Sequence, residues 1–177
     1  MVDKVAVQIR PATKKDLPAL EWEGRYLHFR KLYQRALSEA DHGRAILLVA
    51  EVEQGIVGQI FVQFRGSAVD ANDRGNSGYL YSFRVRPSFR DQGIGTLLME
   101  RSESELIRRD FRRVVIAVAK DNKDALRLYK RLGYSYFARD PGEWSYVDHE
   151  GKLRHITEPA FVLEKSLPTL DQSPGLH

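Results

Sequence analysis

The sequence predicts a mixed α/β fold, one twisted central sheet with helices on both faces. Three observations carry the prediction. Strand-like stretches come first as a meander, with period-two alternation in residues 5–10 and short apolar runs in 46–52 and 56–64. A strand, helix, strand, helix, strand succession then fills residues 79–138. At its centre, residues 114–119 are nearly all apolar, as a strand buried on both faces is.

Each element has a local reason. Val5, Val7 and Ile9 alternate with Ala6, Gln8 and Arg10 as a first strand. Thr13 is placed to cap a helix from Lys14, with Asp16 in its first turn. Leu17, Leu20, Leu27, Leu32 and Ala36 continue helical spacing, as two helices broken near Gly24. The short link Glu53-Gln54-Gly55 joins the next two strands into a hairpin. Residues 66–78, rich in Gly, Ser, Asn and Asp, read as a long polar loop. A strand over 79–85, an amphipathic helix over 95–109 and the apolar strand follow. A short helix over 124–132 stops at Gly133. Strands over 134–138 and 160–164 flank an aromatic, charged stretch that suits a small hairpin around Glu150 and Gly151. From Ser166 on, the polar tail is expected to fray. A chain of 177 residues fits one domain, expected over 1–165, with 166–177 as a flexible tail.

Composition excludes several classes. Hydrophobic residues at 42% and charged residues at 29% rule out a wholly disordered chain. No apolar run approaches the ~18–20 residues of a membrane span. The start at Met1 has no signal-peptide core, so a cytoplasmic location is the expectation. Cysteine is absent, which excludes a disulfide framework, a thiolate metal site and a catalytic cysteine. His149 and His155 lack carboxylate spacing typical of a metal site, and no metal is expected. The net charge of +4 is uneven. Residues 84–131 hold 13 basic and 7 acidic side chains, while the remainder holds 15 and 17. The excess in that one stretch suggests an anionic partner.

The chemistry concentrates between Val85 and Leu98, where a strand ends and a helix begins. Gly93 and Gly95 let the backbone turn so that the first free helix amides converge, with the positive end of the helix dipole behind them. Such a nest binds phosphate. A dinucleotide fingerprint needs a third glycine where Leu98 stands, and a nucleotide P-loop needs a lysine absent from Gly95-Thr96-Leu97. The pyrophosphate of coenzyme A is the third candidate.

Arg90-Asp91-Gln92-Gly93-Ile94-Gly95 resembles the Arg/Gln-x-x-Gly-x-Gly/Ala signature of the GNAT superfamily of N-acetyltransferases. A second block follows in order. Asn122, Ala125, Tyr129, Gly133 and Tyr134 resemble that family's Asn-x-x-Ala-x-x-x-Tyr-x-x-x-Gly-Phe/Tyr pattern. The resemblance covers residues 5–165 and is most specific over 83–134. It implies a GNAT-like acyl-CoA N-acyltransferase fold, splayed at the cofactor site, and acetyl-CoA as the donor. By resemblance, Gln92, Gly93, Ile94, Gly95 and Thr96 offer backbone amides to the pyrophosphate, while Arg90 and Asp91 shape the loop. Phe83 and Val85 would pair their backbone with the pantetheine arm, as an added strand does. Asn122 would contact that arm from the far side, and a cap on the following helix is its simpler role. Tyr129 would give a proton to the departing thiolate, against the alternative of a core aromatic.

Without cysteine, direct attack of a primary amine in a ternary complex is expected. The sequence departs from the family at the general base, because the usual Glu position on the strand is Ala117 and a second family position is Tyr79. Glu51, Glu143, a histidine or a water chain could serve. The acceptor is a small-molecule or protein amine, and Glu21, Glu23, Glu39, Asp41, Asp70, Asp73, Trp144 and Tyr146 are candidate lining residues. No membrane partner is expected. A C-terminal hairpin often supports dimers in this superfamily, which leaves a homodimer open. Two other readings stand beside the enzyme: a non-catalytic acyl-CoA sensor, for which Ala117 speaks, and a basic nucleic-acid-binding module. The second lacks basic-aromatic interleaving and any recognition signature.

Overall fold

The computed structural model describes residues 6–64 and 76–172. Nine strands and three α-helices follow one another there: β1 (Gln8–Pro11), α1 (Arg30–Asp41), β2 (Ala45–Val52), β3 (Gly55–Gln63), β4 (Ser77–Val85), α2 (Ile94–Arg108), β5 (Arg113–Ala119), α3 (Lys123–Arg131), β6 (Ser135–Asp140), β7 (Glu143–Val147), β8 (Leu153–Thr157) and β9 (Ala160–Ser166). Seven strands form a mixed sheet in the order β1-β2-β3-β4-β5-β9-β6, and β7 with β8 forms the expected hairpin. β4 and β5 pair in parallel, whereas β5 pairs antiparallel with β9, so β5 is interior as its apolar run predicted.

The chain divides into two compact units. The first holds the described residues up to Phe61, with Ser82–Arg101 and Tyr146–Arg154. Its core is built on Leu20, Tyr33, Leu47, Leu48, Ile60, Phe61, Leu98 and Met99, all essentially without solvent contact. The first strand begins later than predicted, at Gln8, and Val5 lies outside the described residues. It is fixed at its end by Arg10, which reaches Asp16 at 2.8 Å and Glu51 at 2.6 Å. The predicted helix from Lys14 is a 3-10 helix, Lys14–Glu21, because Pro18 brings no N–H to an i→i−4 bond. Trp22, Glu23 and Gly24 are then all left-handed, with φ of 47°, 55° and 98°, and they end it. A 3-10 turn, Leu27–Phe29, leads into α1.

The second unit holds the described residues of Val62–Tyr81, with Ser102–Ser145 and the chain from His155. Leu80, Leu106, Val114, Ile116, Tyr129, Tyr134, Val162 and Leu163 form its core. α3 begins on an Asn122 cap and ends at Gly133, φ +97°, where the Tyr134 N–H donates back to the Tyr129 carbonyl at 2.9 Å. The chain stays anchored past β9. Leu167 is buried, and its N–H donates to the Arg112 carbonyl at 2.9 Å. Within the predicted loop 66–78, β4 starts at Ser77, two residues early. Asp70 and Asp73 lie outside the described residues.

Candidate active site

In the first unit, β4 ends at Val85 and a short 3-10 turn, Pro87–Phe89, carries the chain toward α2. Arg90 ties the loop back, its Nε donating to the Val85 carbonyl at 2.9 Å. Gln92 Nε2 donates to the Ser88 carbonyl at 3.4 Å. Asp91 and Gly93 are left-handed, with φ of 61° and 83°, so the backbone turns twice within three residues. Ile94 is buried and anchors the start of α2, while Arg90, Asp91, Gln92 and Gly93 are exposed. The first intrahelical bond runs from the Leu97 N–H to the Gly93 carbonyl at 3.0 Å. The amides of Ile94, Gly95 and Thr96 precede it and have no acceptor within the helix. A Cβ on Gly93 would meet nothing within 4 Å, leaving open space beside the turn. These features fit a phosphate group: a loop of exposed backbone opening a 15-residue helix.

The strand before this loop is kinked. Ser82 has φ 51° within β4, a left-handed residue in an otherwise extended strand. The parallel ladder from β4 to β5 runs from Ser77/Arg113 to Leu80/Ile116 and stops, although both strands continue. β5 meanwhile keeps its pairing with β9 as far as Ala119/Ala160. Phe83 and Val85 alternate with Arg84 and Arg86. Arg84 Nη1 donates to the Tyr33 hydroxyl at 2.7 Å and its guanidinium sits 4.0 Å from the Tyr26 ring centroid. Arg86 pairs with Glu23 at 2.9 Å over the Trp22 ring.

The second unit carries the other predicted residues. Asn122 Oδ1 accepts the Ala125 N–H at 3.2 Å, so its capping role is present. Tyr129 is 4% exposed, and burial pushes its phenol well above the usual range. Its ring lies 6.0 Å from that of Tyr134. Tyr79 stacks on Tyr81 at 5.9 Å, and burial followed by Asp140 raises its phenol too. Ala117 pairs with Val162 on β5 and brings no titratable group.

The local basic excess is largely spent on internal contacts. Arg101 donates to the Ile9 carbonyl, Arg108 and Arg109 hold Glu105, Arg113 holds Glu164, and Arg127 holds Asp124. Several candidate acceptor carboxylates are likewise paired: Glu21 with Arg30, Glu39 with Arg44, and Glu51 with Arg10. Tyr146 packs edge-on against Phe29 at 5.0 Å, while Trp144 is 40% exposed. His155 Nδ1 bonds Ser145 Oγ at 2.6 Å. Among the described residues no three His, Asp or Glu side chains converge as metal ligands, and no helix is long and apolar enough to cross a membrane.

The sequence reading missed Ser82 and Gln59. Serine carries no strong preference for the left-handed region, so nothing in the string marked the kink. Gln59 did leave a signal, a lone amide within Ile56-Val57-Gly58-Gln59-Ile60-Phe61.

A seven-stranded mixed sheet with an amide-lined turn leading from β4 into a helix fits the acyl-CoA N-acyltransferase fold. The chain belongs to the acetyltransferase (GNAT) family, whose model matches residues 12–134. Its fold is accordingly that of an acetyltransferase. Solved structures of similar fold include Ard1 from Thermoplasma volcanium, at 21% identity and a TM-score of 0.71 over 93% of this chain and 99% of that one. The ribosomal-protein-S18-alanine N-acetyltransferase of Escherichia coli matches at 16% identity and a TM-score of 0.68, covering 97% and 100%. Arabidopsis thaliana NAA60 in complex with acetyl-CoA matches at 18% and 0.71, covering 91% and 98%.

Proposed function

We propose that the protein transfers the acetyl group of acetyl-CoA directly to a primary amine within a ternary complex. The observation that carries the reading is the turn at Asp91 and Gly93, which leaves three helix amides without intrahelical acceptors. Acetyl-CoA supplies an activated thioester. The amides of Ile94, Gly95 and Thr96, with Gln92 and Gly93, hold its pyrophosphate. The edge of β4 at Phe83 and Val85 takes the pantetheine amides as a strand would. Asn122 keeps its amide N–H₂ for the same arm while its oxygen caps α3.

Tyr129 holds a proton at Oη for the departing sulfur. A free thiol has a pKa of ~8.5, so a phenol raised by burial is the weaker acid. The transfer is balanced only where the thiolate is desolvated as well, because burial raises both groups. Ala117 leaves β5 without a side-chain base, so where Glu143, a histidine or a water chain does not take the proton, the amine loses it to solvent before attack. The low-pH limb of kcat/KM should then move with the acceptor's own amine pKa.

Structures of this fold from Escherichia coli and Brucella melitensis are named as ribosomal-protein-alanine N-acetyltransferases. Peptides with an N-terminal alanine therefore enter the acceptor panel beside polyamines and free amino acids. The test is a thermal shift with acetyl-CoA, then free-thiol release across that panel. Stabilisation by acetyl-CoA and thiol release with one amine class are expected. Stabilisation with no release from any amine would favour an acyl-CoA sensor, the reading Ala117 supports. No stabilisation at all would overturn both.

A further inference from the structure

Gln59 sits in the middle of β3 and is 1% exposed. Its Nε2 donates to the Ser82 carbonyl at 3.2 Å and its amide also bonds the Tyr33 hydroxyl, which Arg84 of β4 holds as well, while its Oε1 is buried with no hydrogen-bond partner. An amide held in an apolar strand with one end unsatisfied is costly, so packing alone does not explain it. The bond falls on the one residue of β4 that is left-handed, Ser82 at φ 51°. A non-glycine residue there is strained and persists only where its surroundings hold it. The ladder to β5 ends two residues earlier, at Leu80. Neighbouring contacts hold β3 and β4 together at the same place. The Arg86 N–H donates to the Val57 carbonyl at 2.8 Å, and a Cβ on Gly58 would come within 3.3 Å of the Arg84 carbonyl oxygen.

We propose that Gln59 is a positioning residue: its amide holds the left-handed kink at Ser82 and thereby sets the β4 edge at Phe83 and Val85 for the coenzyme arm. The last step rests on the function proposed above. Loss of the Gln59 donor lets Ser82 relax toward extended backbone, which carries the following residues off the line the arm needs. The interaction is made with donor bound whether or not the acetyl group is in flight. Its loss should therefore act on binding rather than on the chemical step.

The test uses Gln59→Met, similar in volume and without the donor, with Gln59→Leu as a second variant should the first fold poorly. Amide hydrogen exchange without any ligand reads the kink itself. Residues 82–85 should exchange at least several-fold faster in Gln59→Met, with the β5 and β9 amides unchanged. With acetyl-CoA, KM should rise about 3–10-fold, the worth of one neutral hydrogen bond, at nearly constant kcat. Ser82→Gly, which adopts the left-handed region without strain, should restore KM in the Gln59→Met background. Ser82→Val should reproduce the Gln59→Met defect. Unchanged exchange in Gln59→Met and Gln59→Leu would overturn the pin. Altered exchange with an unchanged KM would overturn its link to the coenzyme arm. Absence of acetyl-CoA binding in the wild type would instead remove the functional reading, and the exchange data would still judge the pin.

Discussion

Asn122 has one role shown and one proposed, on separate atoms. Its oxygen caps α3 through the Ala125 N–H, and the proposed pantetheine contact would fall to its amide N–H₂. Asn122→Ala should cost about 1 kcal/mol of stability through the cap, measured by urea unfolding. Asn122→Asp keeps an acceptor and adds a favourable charge at a helix start, so it should unfold like the wild type. It loses the donor, however, and should weaken acetyl-CoA binding by several-fold in a thermal-shift titration. Equal affinity in Asn122→Asp would leave the cap as the residue's whole role. Tyr129 separates in the same way. Tyr129→Phe keeps the ring in the core beside Tyr134, so neutral-pH stability should change little. If the phenol protonates the thiolate, kcat should drop by about 10²–10⁴ with KM for acetyl-CoA nearly constant. Near-wild-type turnover where chemistry limits the rate would assign Tyr129 to packing. Both residues were candidates through their match to the family's Asn and Tyr block, and the structure places Asn122 at the cap of α3 and Tyr129 within it. Ser82 was not, because its conformation is imposed by the Gln59 amide, a contact 23 residues away in the chain.

At the scale of elements, the turn into α2 makes its two glycines unequal. Gly93 is left-handed with open space around its missing Cβ, so Gly93→Ala meets no clash. Its cost is conformational, about 1–2 kcal/mol for a side chain in that region. Gly95 lies inside α2 and is not left-handed, so its backbone poses no such demand. Gly95→Val should leave the circular dichroism spectrum intact and remove acetyl-CoA stabilisation, since the branched side chain stands over the helix amides. Undiminished binding in folded Gly95→Val would sink the phosphate-nest argument. The strands of the sheet were readable to within a few residues, because β5 is buried on both faces and β2 with β3 share a short link. Residues 14–29 were harder. Their apolar spacing is helical, but Pro18 and three successive left-handed residues divide the segment into 3-10 pieces. β9 runs to Ser166, two residues past the predicted end, and just beyond it the Leu167 N–H donates to the Arg112 carbonyl, a partner that local composition does not announce.

For the whole molecule, charge pairing governs both partners and pH limits. Arg101, Arg108, Arg109, Arg113 and Arg127 are engaged with carbonyls or carboxylates of this chain, so a phosphate ladder finds few of them available. Binding to random duplex DNA should stay weaker than micromolar at ~0.15 M salt. Micromolar binding that coenzyme A competes poorly would contradict this. On the acid side, the Arg10 guanidinium, helped by Thr13 against the opposing effect of burial, holds the Asp16 carboxyl at about 2, below its ordinary 3.8. A depressed carboxylate stabilises the fold above the unfolded value and loses that contribution as pH falls from about 4 to about 2. The difference is on the order of 2 kcal/mol, and Asp16→Asn should lose most of it at pH 7 while flattening the acid limb. On the alkaline side, burial raises the Tyr129 phenol, and burial together with Glu103 raises that of Tyr134. In the unfolded chain both ionise near 10. Below that pH the two states bind the same protons at these positions and stability is flat. Above it the unfolded chain sheds protons that the folded chain keeps, so unfolding becomes easier as pH rises. The midpoint temperature should therefore fall from about pH 10 upward. Tyr129→Phe should weaken that fall, since the variant has one phenol fewer to ionise on unfolding. An alkaline limb of equal steepness in the two proteins would mean that Tyr129 titrates alike in the folded and unfolded chains.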